Sequence, residues 1–270
     1  MAASDIVASI LAQWRAWSLD IASNKAPVVL GTLGGSSTNQ SFLIGNDQQQ
    51  WVLRVNKRQR PAAVNLQCEA IIQARVAELA LCPALIYQHD DYSYCVRDYI
   101  AATPLNEVDL EVLDLPQLLA VLCRQIQRYQ SLFSDSDVSL LDSYNYQSLL
   151  EQYADGQQRQ QHEHAKMLAL AGQIDADAQS RGLVLSHHDL TPGNILLRSA
   201  LPPYDDLQLI DWEFARLSHP AMDFAMLAVE LEIRAASLSA VTGIDAAILE
   251  HCEQLYRYVK ALYQQQPDPA

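Results

Sequence analysis

Between Leu185 and Leu197 the chain reads LSHHDLTPGNILL, and from Leu207 to Phe214 it reads LQLIDWEF. Two short apolar runs, Asn194–Leu197 and Leu207–Ile210, flank the turn-forming PPYDD, a pattern that predicts a hairpin. Asp189 precedes the first strand, Asn194 opens it and Asp211 ends the second, so a hairpin makes Asn194 and Asp211 neighbours. Oxygen-bearing side chains gathered at one edge are hard ligands suited to Mg2+, which takes few protein oxygens and completes its shell with water and substrate phosphates. Asp189 then faces whatever those phosphates approach. Taken alone, the stretch also fits a helix-to-strand turn stapled by its own side chains.

Those groups need a frame. The chain has 270 residues, half of them hydrophobic and 19% charged, enough for one large domain or two lobes with a sizeable core. Near the start Ile6, Ile10, Trp14 and Trp17 recur at helical spacing, with Ser4 as a candidate N-cap. Strands are expected at Val28–Leu30, Ser41–Ile44 and Trp51–Val55. A helix follows, with Pro61 near its first turn and Leu66, Ala70, Ile71 and Val76 on its apolar side; two more strands then join at Asp90–Asp91. Beyond Leu105 helical patterns dominate, and Gly182 stops a helix just before the polar loop. The expected class is α+β: a β-rich N-lobe over residues 1–100 and a helical C-lobe over 101–270.

A formal charge of −14 argues against nucleic acid as a partner, because phosphate backbones are met by clustered Lys and Arg. The five cysteines are scattered and form no CxxC pair, as expected of reduced thiols in a cytoplasmic protein rather than a disulfide framework or zinc site. No apolar run approaches the ~20 residues of a membrane span. The first twenty residues carry no basic leader or cleavage signal, so a cytoplasmic protein is expected.

HHDLTPGN resembles the H-x-D-L-x-P-x-N catalytic loop of the protein-kinase-like phosphotransferases, and IDWE stands where protein kinases have Asp-Phe-Gly. The resemblance implies a protein-kinase-like two-lobed fold, with a small antiparallel-sheet N-lobe and a mainly helical C-lobe, using ATP and Mg2+. It assigns a structural histidine to His187, the catalytic base to Asp189, and the metal ligands to Asn194 and Asp211. GTLGGSSTNQSF resembles the Gly-Gly-x-Thr-Asn loop of choline-kinase-like and aminoglycoside-phosphotransferase-like proteins, which places Gly34, Gly35, Thr38 and Asn39 at the nucleotide. Its spacing is altered by Ser36 and Ser37. WVLRVN puts Arg54 at the cation position, on the opposite strand face from Lys57, and Glu69 on the next helix is its expected ion-pair partner. YCVRDYI resembles the hinge, where the backbone of Asp98, Tyr99 and Ile100 would meet the nucleotide base.

Only a short crossing separates Asp211 from Asp223, too little for the long segment on which protein kinases seat a peptide. The expected acceptor is therefore a small-molecule alcohol, and Asp223 is expected to hold the catalytic loop or cap a helix. IDWEFA leans toward choline, ethanolamine and thiamine kinases, which suggests a cationic acceptor with His188, Trp212 and Glu213 as possible contacts. Tyr256, Tyr258, Tyr263, Glu230 and Glu232 are further candidates. An aminoglycoside or sugar phosphotransferase is the alternative on the same scaffold. A catalytically silent nucleotide-binding module is the third reading, and retention of Asp189, Asn194 and Asp211 together disfavours it.

Overall fold

The structure is a computed structural model that describes residues 3–17, 25–35, 38–57, 64–133, 141–152 and 161–264. Ser36, Ser37 and Pro61 lie outside the described residues. The chain divides into two compact units, the first up to Ala101 and the second from Ala102 onward.

The first unit is an antiparallel sheet with a helix against each face. Its strands are β1 (Val28–Gly35), β2 (Asn39–Gly45), β3 (Gln50–Asn56), β4 (Leu85–Gln88) and β5 (Tyr94–Asp98), in the order β1-β2-β3-β5-β4. Alternation along each strand sorts the side chains by face. Phe42 and Ile44 of β2, Trp51 and Leu53 of β3, and Tyr94 and Val96 of β5 fall on one side. They pack with Val7 and Ile10 of α1 (Ala3–Leu11) and with Trp17 just beyond it. The helix begins at Ala3, so Ser4 lies inside it rather than capping it.

Arg54 points to the other face, where α2 (Leu66–Glu78) lies. This helix starts at a cap, Asn65, whose side chain accepts from the Gln67 and Cys68 amides. Its buried stripe is Cys68, Glu69, Ile72, Gln73 and Val76, displaced from the expected apolar face. The displacement has a reason: Glu69 and Gln73 are polar, but both are needed inside, against the arginine of β3.

The second unit is mainly helical. It comprises α3 (Leu115–Gln130), α4 (Tyr146–Gln152), α5 (Gln161–Arg181), α6 (Met222–Glu230), α7 (Ala235–Thr242) and α8 (Ala246–Gln264). α3 is strongly amphipathic, burying Leu118, Leu122, Ile126 and Tyr129 along one stripe. Two small sheets carry the polar loop. β7 (Val184–Ser186) pairs with β10 (Arg216–Ser218), while β8 (Ile195–Leu197) lies between β6 (Thr103–Pro104) and β9 (Gln208–Leu209). α5 ends at Gly182, whose φ of +90° suits a residue without a side chain. All five cysteines are buried and free. Among the described residues no helix is long and apolar enough to cross a membrane.

Candidate active site

The polar loop runs from the end of β7 to the start of β8, and two contacts of the His187 ring help fix its course. His187 Nε2–H donates to the Ile210 carbonyl at 3.0 Å, and its Nδ1 accepts from the Asp189 amide at 3.3 Å. Both ring nitrogens are therefore engaged in one tautomer, and burial lowers the His187 pKa to about 4, so the ring stays neutral. The imidazole staples the loop to the end of β9.

Beneath it, Asp223 in the first turn of α6 is fully buried. Its carboxylate accepts from the His187 amide at 2.8 Å, the His188 amide at 3.2 Å and the Tyr129 hydroxyl at 2.6 Å. Of the two roles expected for Asp223, the geometry shows the first: it holds the loop.

Asp189 leaves this scaffold with its carboxylate bound by one side chain. Asn194 Nδ2 donates to Asp189 Oδ2 at 2.7 Å and to its backbone carbonyl at 2.9 Å. Asn194 belongs to a short 3-10 turn, Pro192–Asn194, and its carbonyl accepts from the Ile210 amide at 3.0 Å. The hairpin register, Ile195 with Leu209 and Leu196 with Gln208, thus places Asn194 against Ile210. Asp211 follows immediately in the left-handed conformation, φ 65°. Burial first, and then the Asp211 carboxylate, push Asp189 up to about 6, against the pull of Asn194's hydrogen bond. Two carboxylates close enough to repel, with Asn194's amide nitrogen turned to Asp189 and its oxygen left for another partner, form a donor set that fits a hard divalent cation.

Of the expected acceptor contacts, Trp212 is enclosed in the helical unit. Its indole N–H donates to the Leu209 carbonyl at 3.0 Å and its ring meets Tyr129 edge-on at 5.2 Å between centroids. The left-handed turn at Asp211 swings it inward, so it is not presented to an acceptor. Glu213, one residue on, is also buried. His188 is buried with φ 62°; its ring stacks on Tyr144 at 4.1 Å and its Nδ1 lies 3.3 Å from the Tyr146 hydroxyl. Burial holds its pKa near 3, a poor base at neutral pH.

Glu230 and Tyr256 meet instead, and Lys260 joins them, a residue that sequence reasoning passed over. Glu230 Oε1 accepts from the Tyr256 hydroxyl at 2.8 Å and from Lys260 Nζ. The charges of Glu230 and Lys260 both act on Asp189. A lone lysine on a C-terminal helix reads as a solvated side chain, so the sequence carries no signal for it.

In the first unit, Arg54 Nη1 donates to Glu69 Oε1 at 2.5 Å, with side chains 4% and 5% exposed. Gln73 Nε2 at 2.7 Å and Arg97 Nη2 at 3.2 Å converge on the same oxygen. Gly34 and Gly35 close β1, and the φ of Gly34, +137°, is one that side-chain-bearing residues rarely adopt. Thr38 and Asn39 are buried, with Asn39 Nδ2 donating to Thr38 Oγ1 at 3.0 Å. The Asp98 amide donates to the Ala84 carbonyl at the end of β5, inside the sheet; Tyr99 and Ile100 follow outside the strand.

Comparison with curated proteins finds no match. Among solved structures, a choline/ethanolamine kinase family protein from Mesorhizobium loti superposes with a TM-score of 0.65 at 17% identity, covering 99% of this chain and 89% of that one. The choline kinase of Streptococcus pneumoniae gives 0.63 at 16% identity, covering 97% and 92%. The GDP complex of aminoglycoside 2'-phosphotransferase-IIIa gives 0.69 at 17%, covering 97% and 90%. At such identities the likeness is one of fold, and the fold is the α+β, two-lobed, protein-kinase-like one. The phosphotransferase enzyme family model matches residues 30–263, and the chain belongs to that family.

Proposed function

We propose that the protein transfers the γ-phosphoryl group of ATP to the hydroxyl of a small, cationic metabolite of the choline, ethanolamine or thiamine kind. The observation that carries the reading is the Asp189–Asn194 pair, held by His187 to Ile210 beside Asp211. Solved neighbours of the same fold were crystallised with nucleotides, GDP in one and AMP in the choline kinase from Streptococcus pneumoniae, which supports a nucleotide as donor.

Asp189 accepts a hydrogen bond from the acceptor hydroxyl, orients its lone pair along the line of attack, and takes its proton late, as suits a loose transition state. Asn194's amide keeps that carboxylate from rotating away. Asn194 Oδ1 and the Asp211 carboxylate are the groups that would hold Mg2+, which supplies charge neutralisation at the phosphates. Arg54, fixed by Glu69, pairs with phosphate oxygens through its planar fork. The backbone of Tyr99 and Ile100 meets the nucleotide base.

A neighbouring structure, spectinomycin phosphotransferase, was solved with ADP and spectinomycin. This likeness keeps an aminoglycoside or sugar acceptor as the second reading. The test is ADP release with Mg2+ and ATP across choline, ethanolamine, thiamine, aminoglycosides and amino sugars. Turnover with one of the first three is expected, and Asp189→Ala is expected to abolish it while nucleotide affinity stays nearly intact. Equal loss of turnover and nucleotide binding in that variant would overturn the role given to Asp189.

A further inference from the structure

The carboxylate nearest in character to a cation subsite already holds a cation, and that cation belongs to the protein. Glu230 closes α6, and Tyr256 and Lys260 stand one turn apart on α8, so their side chains meet where the two helices pack. Glu230 is 10% exposed, against 38% for Lys260, so the carboxylate is the fixed partner and the lysine the one open to solvent. Lys260 Nζ sits 5.9 Å from the centroid of the Tyr256 ring while it donates to Glu230 Oε1. The Tyr256 hydroxyl donates to the same oxygen. The Glu230 and Lys260 charges both act on Asp189, and the Asp189 charge acts back on the Tyr256 phenol. The cluster therefore lies within electrostatic reach of the residue that receives the acceptor's hydroxyl.

What Glu230 offers is a hydrogen bond as well as a charge. An ammonium group with N–H bonds can replace Lys260 on that oxygen. A quaternary ammonium has no N–H to donate and binds by stacking against several aromatic faces. Among the described residues a single ring, Tyr256, lies against Nζ.

We propose that Lys260 is the resident surrogate for the acceptor's charged group: the acceptor carries, besides its reacting hydroxyl, a protonated amine with N–H bonds that takes Glu230 over from Lys260. Quaternary ammonium alcohols are then poor acceptors. The proposal rests on the phosphotransferase reading and narrows its substrate class.

The test compares wild type, Lys260→Met and Glu230→Gln. KM for ethanolamine and for choline is read by ADP release, and affinity for ethylammonium, which has no hydroxyl, by calorimetry. Removing the competing lysine is expected to lower the ethanolamine KM and tighten ethylammonium on the order of tenfold, the effect of about one charge-assisted hydrogen bond, with little change for choline. Glu230→Gln is expected to weaken both amines. An equal gain for choline, or an unchanged or lowered ethylammonium affinity in Lys260→Met, overturns the surrogate. Absence of ADP release with every acceptor would bring down the phosphotransferase reading, and the ethylammonium titration would still decide the role of Lys260.

Discussion

The side-chain amide of Asn194 grips Asp189 twice, at the carboxylate Oδ2 and at the backbone carbonyl, 2.7 and 2.9 Å away. The double contact fixes the χ angles of Asp189 and counteracts the repulsion from Asp211. Asn194→Asp keeps the size and an oxygen for a cation but removes the donor and adds a carboxylate. The expected result is a fall in kcat on the order of a hundredfold, typical for loss of one preorganised donor in an active site. ADP-release kinetics at saturating Mg2+ check it, and a wild-type kcat would show that the amide does not position Asp189.

Glu69 is the hub of the first unit's polar face, since Arg54, Arg97 and Gln73 all donate to its Oε1. Withdrawing that carboxylate leaves the buried Arg54 guanidinium and the half-buried Arg97 guanidinium without their shared acceptor. Glu69→Met is expected to cost about 3–5 kcal/mol of unfolding free energy, as breaking a buried ion pair from one side does. The double variant Arg54→Met/Glu69→Met is expected to recover part of that loss, because apolar groups of similar volume replace the Arg54–Glu69 pair. Urea denaturation of wild type, the two single variants and the double variant measures it, and strict additivity of the two substitutions would show that the pair is not coupled.

Three donors surround Asp223, yet burial still raises its pKa from 3.8 to about 6. The folded value lies above the unfolded one, so the fold holds this proton more tightly than the open chain. Asp223 therefore detracts from stability once ionised, and the penalty lifts as pH falls from about 6 toward 4. Tyr129→Phe removes a donor to the ionised form. Its cost should be about 1–3 kcal/mol at pH 7 and smaller at pH 5, where the carboxyl is mostly protonated in the fold. Denaturation at the two pH values checks the sign, and a larger cost at pH 5 would contradict it.

Much of the site is legible in the sequence because polar residues crowd between two apolar strands. That contrast marks the hairpin and the positions of Asp189, Asn194 and Asp211 along it. What escapes is whatever depends on distant elements or on single backbone angles. β6 is only Thr103–Pro104, too short to show a period, although it completes the sheet around β8. The positive φ of Asp211 has no residue signature such as glycine, and it alone decides that Trp212 turns into the core. The Glu230–Lys260 meeting depends on the packing of α6 on α8, thirty positions apart in the chain, which no local pattern encodes.

His188 shows the same limit and supports a last prediction. Its place between His187 and Asp189 suggests a side chain near the acceptor, yet its backbone is left-handed, φ 62°, and its ring is buried against Tyr144. A residue with a Cβ costs roughly 1–2 kcal/mol in that conformation, and only glycine adopts it freely. In the native protein the stack on Tyr144 and the contact with the Tyr146 hydroxyl offset that strain. His188→Ala loses the ring and keeps the strain, whereas His188→Gly loses the ring and relieves it. Both variants should be less stable than wild type, with Gly the more stable of the two by about 1 kcal/mol even after its greater unfolded-state freedom is counted. Urea midpoints at pH 7 give the order directly. An Ala variant as stable as the Gly variant would mean that the loop can present Asp189 without a left-handed residue before it, and the amide and histidine contacts that fix its course would no longer explain where the carboxylate points.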